Sequence, residues 1–241
     1  MPPEPAILTV TTRPELVLLD IEGTIAPISF VHDVLFPYAR ARLAGFVAAH
    51  GDEPEIAAAL AELDAIAPGA PPVETMLALM DRDAKVGPLK LIQGRIWAEG
   101  FAEGALTSRL YPDVAPVLRA WHGSGLRLAI YSSGSEEAQR LLLGHTPDGG
   151  LTALFERFFD TRMGGKRDAA SYAAIARSMA VAPAHVLFLS DVADELAAAA
   201  TAGIQVCQIV RPEDGTIASA DYPTAPDLAA VAAAFDRPDP A

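Results

Sequence analysis

The sequence predicts an α/β protein built on a parallel sheet and interrupted after its first strand by a helical insertion. Three observations carry this expectation. Four short apolar runs, Leu16–Leu19, Leu128–Tyr131, Val186–Leu189 and Val206–Val210, are rich in Val, Ile and Leu and do not alternate with polar residues. Strands covered on both faces have that composition. Helical stretches lie between the later runs, and strands alternating with helices of such length imply βαβ units. Residues 30–107 contain no convincing strand and read as successive helices.

Taken in order, the first run ends in an acidic turn, Asp20-Ile21-Glu22-Gly23-Thr24. The insertion then reads as helices over Val31–His50, Glu55–Ile66, Val73–Lys85 and Leu89–Phe101, with a Pro/Gly-rich loop at residues 67–72. Pro37 lies inside the first of these and predicts a kink or break. The expected boundaries are residues 1–29 with 108–241 for the α/β core and 30–107 for the insertion; one α/β domain with long helices is the alternative. Helices are expected at Glu136–Leu143, Ala169–Met179 and Asp194–Ala202, around the third and fourth runs. The last residues, 236–241, read as a frayed tail.

Composition narrows the function classes. The 241 residues carry 18 Lys plus Arg against 31 Asp plus Glu, a net charge of −13. A nucleic-acid binder needs a basic face to displace counterions from phosphates, and an anionic membrane surface asks for the same. Neither partner is expected. With 51% hydrophobic and 20% charged residues, the chain can bury a substantial core. Its one cysteine, Cys207, permits no internal disulfide and suits a reducing cytosol. The start, MPPEPAILTVTTRPELVLLD, lacks a basic lead and a long apolar stretch, and no run reaches the ~18 apolar residues of a membrane span. The expected location is cytoplasmic.

The chemistry-bearing residues fall at strand ends. Asp20 and Glu22 are two apart, so they share a face where the first strand runs out. They are either solvated acids or a pair that needs a cation or a proton between them. Ser132-Ser133-Gly134-Ser135 follows the second strand and leads into a helix with an acidic first turn. It is an ordinary helix cap, a phosphate cradle, or both. Met163-Gly164-Gly165-Lys166 places a lysine after two glycines, in a chain with 3 lysines and 15 arginines. Lys166 is a surface charge or a compact point charge for phosphate. Asp191 leaves the third run directly after apolar residues, whereas Asp194 and Glu195 in the next helix turn suit its dipole. Open α/β sheets bind ligands beyond the carboxyl ends of their strands, so these residues would converge there. Hard oxygen donors favour Mg²⁺ over zinc. No P-loop, GxGxxG, GxSxG or HExxH pattern is present.

The order DIEGT, YSSGS, GGK, FLSDVADE resembles the four motifs of the haloacid dehalogenase superfamily of aspartate-nucleophile phosphatases. LLDIEGT with PISFVHDVLFPYA, LKLIQGRIW, IYSSGS, FFDT and RP after the last run is similar, more narrowly, to the enolase-phosphatase (acireductone synthase) family of methionine salvage. The resemblance spans Leu16 to Pro212. It implies a Rossmann-like core of the haloacid dehalogenase type with a helical cap after the first strand. It also implies conversion of 2,3-diketo-5-methylthiopentyl-1-phosphate to 1,2-dihydroxy-3-keto-5-methylthiopentene plus phosphate. By the same resemblance Asp20 would be the nucleophile and Glu22 the general acid/base. Ser132, Ser133 and Lys166 would bind the phosphoryl group. Mg²⁺ would be held by Asp20, Asp191 and the backbone oxygen of Glu22, with Glu195 supporting its waters. The small phosphorylated diketone would be the partner, and the enzyme a monomer. Two departures stand out: Thr24-Ile25-Ala26-Pro27 replaces a run of threonines, and Gly165 replaces a histidine before the lysine. A superfamily phosphatase for another small phosphate ester is the alternative.

Overall fold

The computed structural model describes residues 12–235. The predicted tail at 236–241 lies outside them. Two compact units divide the chain: residues 1–28 with 108–241, and residues 29–107.

The first unit holds a six-stranded parallel sheet in the order β3-β2-β1-β4-β5-β6. The strands are β1 (Leu16–Leu19), β2 (Arg127–Tyr131), β3 (Arg157–Phe159), β4 (Val186–Ser190), β5 (Gln205–Ile209) and β6 (Thr224–Ala225). β1 is central, with Leu16 registered against both Arg127 and Val186. Its four residues are fully buried because helices cover both faces. Leu16 and Leu18 pack with Tyr172 and Leu196. Val17 and Leu19 alternate to the opposite face. The sheet order reverses between β1 and β4. Chain leaves the carboxyl ends of those two strands toward opposite edges, and the divergence opens a crevice there.

The sequence reading places β1, β2, β4 and β5 within a residue or two and does not contain β3 or β6. β3 is three residues long and opens on the exposed Arg157; β6 has two residues. Neither carries enough apolar contrast to stand out.

α1 (Ile28–Phe30) starts at the unit boundary and runs into a π-helical turn at Val31–Leu35 and then α2 (Phe36–His50) in the second unit. The α-helical pattern is interrupted just before Pro37, which takes a first-turn position of α2, in line with the expectation above. Proline has no N–H, and its ring crowds the carbonyl four residues back, here that of Asp33. The π turn widens the backbone just before it, with the Phe36 N–H bonding the Val31 carbonyl. α3 (Pro54–Ile66), α4 (Pro72–Met80) and α5 (Gly87–Ala102) complete the unit. α4 stops five residues short of the expected end, and Asp83 beyond it takes a positive φ of 48°. The unit has its own core, including Leu43, Ile56, Met76 and Ile92. Phe36 stacks on Trp97, whose indole N–H donates to the Leu35 carbonyl at 2.8 Å.

The remaining helices belong to the sheet unit: α6 (Val114–Gly123), α7 (Glu136–Gly144), α8 (Ala169–Ser178), α9 (Ala193–Thr201) and α10 (Leu228–Phe235). Among the described residues no helix is long and apolar enough to cross a membrane.

Candidate active site

β1 ends one residue before Asp20, whose N–H donates to the Leu189 carbonyl of β4 at 2.9 Å. That bond fixes Asp20 at the switch point of the sheet. Its side chain is buried, and Oδ1 accepts from the Ile21 N–H at 2.7 Å. The same oxygen lies 2.6 Å from Lys166 Nζ, and Lys166 reaches Glu195 Oε2 at 2.6 Å. Ser190, the last residue of β4, closes the circuit. Its hydroxyl is 3.1 Å from Glu195 Oε2 and 3.3 Å from Asp20 Oδ2, and it accepts the Val192 N–H. With one proton to donate, Ser190 serves one carboxylate at a time.

Electrostatics follow from this packing. Burial opposes the Lys166 ammonium, yet Asp20 and Glu195 outweigh it and hold its pKa above the usual lysine value. Burial, and then the charge of Asp20, push Glu195 up to about 7 despite Lys166. Lys166 is held by its backbone as well. Tyr172 Oη donates to its carbonyl at 2.8 Å, and Ser171 Oγ donates to that of Gly165 at 2.9 Å. Gly164 has a φ of 123°, and a Cβ there would fall 2.2 Å from Ser171 Oγ. The glycine thus lets the lysine loop lie tightly on α8.

Asp191 sits on the loop between β4 and α9. Its N–H donates to Thr24 Oγ1 at 3.1 Å, which ties the loop after β4 to the loop after β1. Burial, then Asp20, push its carboxyl up to about 7, and its buried Oδ1 has no hydrogen-bond partner. Gly23 (φ 69°) brings its backbone so close that a Cβ would lie 2.5 Å from Asp191 Oδ2. Thr24 in turn is anchored from below. Its carbonyl accepts from Arg211 Nη2 at 3.0 Å, and Arg211 makes a two-pronged pair with Asp113 at 2.8 and 2.9 Å.

The donor set suits a hard cation. An orphaned, buried carboxylate oxygen on Asp191, raised by the neighbouring charge of Asp20, is the environment a divalent ion relieves. Among the described residues no three His, Cys, Asp or Glu side chains form a metal-holding cluster by themselves. Two carboxylates supplemented by backbone oxygen fit that description.

Structure brings Asp20, Lys166 and Glu195 into direct contact and sets Asp191 against the Gly23 turn. Glu22 is half-buried and bridges Ala26 through its backbone, while Ser133 is half-buried on the neighbouring loop. Ser132 is buried two residues beyond Ile130, the register partner of Leu19. Its N–H bonds the Phe159 carbonyl, and its Oγ accepts the Gly134 N–H at 3.2 Å. Sequence reading gave Ser190 no role and met Arg211 only as part of the Arg-Pro motif after the last run. A serine after an apolar run looks like a strand end, and Arg211 meets Thr24 across 187 positions.

Comparisons with known proteins agree with this geometry. The model of the haloacid dehalogenase-like hydrolases matches residues 14–203. An enolase-phosphatase E1 of Gluconacetobacter diazotrophicus is 55% identical over 222 residues, covering 92% of this chain and 94% of the relative. Another, from Parvibaculum lavamentivorans, is 56% identical over 206 residues, 83% of this chain and 87% of the relative. Among solved structures, the UTR4 protein of Saccharomyces cerevisiae superposes with a TM-score of 0.73 at 31% identity, covering 89% of this chain and 98% of that one. The chain belongs to the enolase-phosphatase E1 family of the haloacid dehalogenase-like hydrolases.

Proposed function

We propose that this chain enolises and dephosphorylates 2,3-diketo-5-methylthiopentyl-1-phosphate, with Asp20 as the nucleophile. The observation that carries the residue assignment is the position of Asp20: buried at the switch point, with Oδ1 between the Ile21 N–H and Lys166. Relatives at about half identity over most of the chain carry the enolase-phosphatase name, and a small phosphorylated substrate follows from it.

In enolisation a proton moves from the phosphate-bearing carbon to the neighbouring carbonyl oxygen, which becomes the enol. A carboxylate oxygen of Asp20 then attacks phosphorus. The bond from phosphorus to the ester oxygen breaks, and Glu22 gives that oxygen a proton. Water attacks the aspartyl-phosphate, Glu22 takes the proton back, and Asp20 is restored with release of phosphate. Lys166, Ser132 and Ser133 hold the phosphoryl oxygens, since this chemistry is mostly positioning and neutralisation of spread charge. Mg²⁺, held by Asp20, Asp191 and the Glu22 carbonyl, would supply positive charge to the phosphoryl and enolate oxygens.

The test adds purified protein and Mg²⁺ to the diketo phosphate without oxygen, following ultraviolet absorbance and free phosphate together. The expected result is a new conjugated chromophore and one phosphate for each product. Phosphate without new absorbance would leave only a phosphatase for simple esters.

Lys166→Arg should lower phosphate release roughly 10–100-fold. A guanidinium keeps the charge but not the compact geometry of two 2.6 Å contacts. Steady-state kinetics would check this, and full activity in the variant would remove Lys166 from the site.

A further inference from the structure

We infer that Gln139, on α7 and in none of the roles above, is the positioning residue that holds the Ser132–Gly134 loop in its phosphate-binding shape. This rests on the reading of Ser132 and Ser133 as phosphoryl ligands.

Gln139 is buried, with 2% of its surface exposed. Its amide nitrogen donates to the Gly134 carbonyl at 2.8 Å and to the Phe159 carbonyl at 2.9 Å. The Phe159 carbonyl also receives the Ser132 N–H at 3.1 Å. The Phe159 carbonyl at the end of β3 thus holds the Ser132 end of the loop directly and the Gly134 end through Gln139. Ser132 Oγ, accepting the Gly134 N–H, closes a small turn around Ser133. Ser133 is thus bracketed by two fixed neighbours. The Gly134 carbonyl is drawn to Gln139, which sets the plane of the Gly134–Ser135 peptide just ahead of α7 and its Ser135 cap, since carbonyl and following N–H point oppositely in a trans peptide.

A second observation separates positioning from mere packing. Gln139 Oε1 is buried and has no hydrogen-bond partner. Such an orphan costs stability, and buried polar groups in native proteins are otherwise satisfied. An apolar side chain of equal length would avoid that cost. What the amide offers against that cost is its two donated bonds, which shape the loop.

The decisive variant is Gln139→Met, which keeps length and volume while removing donors and orphan together. Wild type and variant are titrated with inorganic phosphate in Mg²⁺ buffer by calorimetry, well below either melting temperature, and melting is measured alongside. The expected result is a folded variant melting within a few degrees of the wild type, because loss of the Oε1 orphan offsets the bond lost by the Gly134 carbonyl, with phosphate affinity roughly tenfold weaker and KM raised more than kcat is lowered. Unchanged phosphate affinity would overturn the inference whatever the melting temperature. A clear loss of stability, or failure to fold, would also overturn it, because Gln139 would then be structural. Absence of phosphate binding by the wild type itself would instead fault the reading of Ser132 and Ser133.

Discussion

Asp20→Asn is expected to abolish phosphate release while the protein remains folded. The asparagine keeps an Oδ1 that can accept from the Ile21 N–H, so the turn after β1 is preserved. Lys166 keeps Glu195 as a counter-charge. The amide, however, has no oxygen nucleophilic enough to attack phosphorus. Removing a nucleophile costs on the order of 10⁶-fold in kcat where measured in other hydrolases. Circular dichroism should match the wild type, and the phosphate assay should read background. Wild-type-like release from this variant would refute the nucleophile assignment.

Gly23→Ala is expected to have the next largest effect, although it adds one methyl group. Positive φ costs a residue with a Cβ about 1–2 kcal/mol, and the Gly23 angle is 69°. The greater effect is local. The new Cβ would sit 2.5 Å from Asp191 Oδ2 and 2.6 Å from its Cγ, so the carboxyl must move. Displacing a positioned group by about 1 Å costs roughly 10²-fold in rate. Activity should fall by that much, with a higher Mg²⁺ requirement in a titration. A normal Mg²⁺ response in a folded variant would separate Asp191 from the metal.

How much of this was legible beforehand depended on burial and on distance along the chain. β1 and β4 stood out because both faces are covered, which leaves unbroken apolar letters. β3 and β6 did not, because short edge segments bury too little to bias their composition. α6 and α10 were not read either. α6 carries Pro116 in its first turn, and α10 is so rich in alanine that its faces scarcely differ. At the site, Asp20, Asp191 and Lys166 were legible because an acid or lysine at the end of a buried strand or after two glycines needs a reason. Gln139 was not. It follows Glu136 and Glu137 and precedes Arg140, and reads as one more polar residue on a helix surface. Only the fold turns it inward.

The central place of β1 in the sheet has a consequence for biosynthesis. Leu16–Leu19 leaves the ribosome first, yet its neighbours are residues 127–130 and 186–189. At about 5–20 residues per second, translation leaves this strand without its second partner for roughly 10–30 s. The helical insertion, whose core cluster is built from its own residues, can complete that core in the same interval. The nascent chain therefore carries a folded helical unit beside an unpaired, wholly apolar strand. That strand's exposure makes this the stage at which the chain most needs a chaperone.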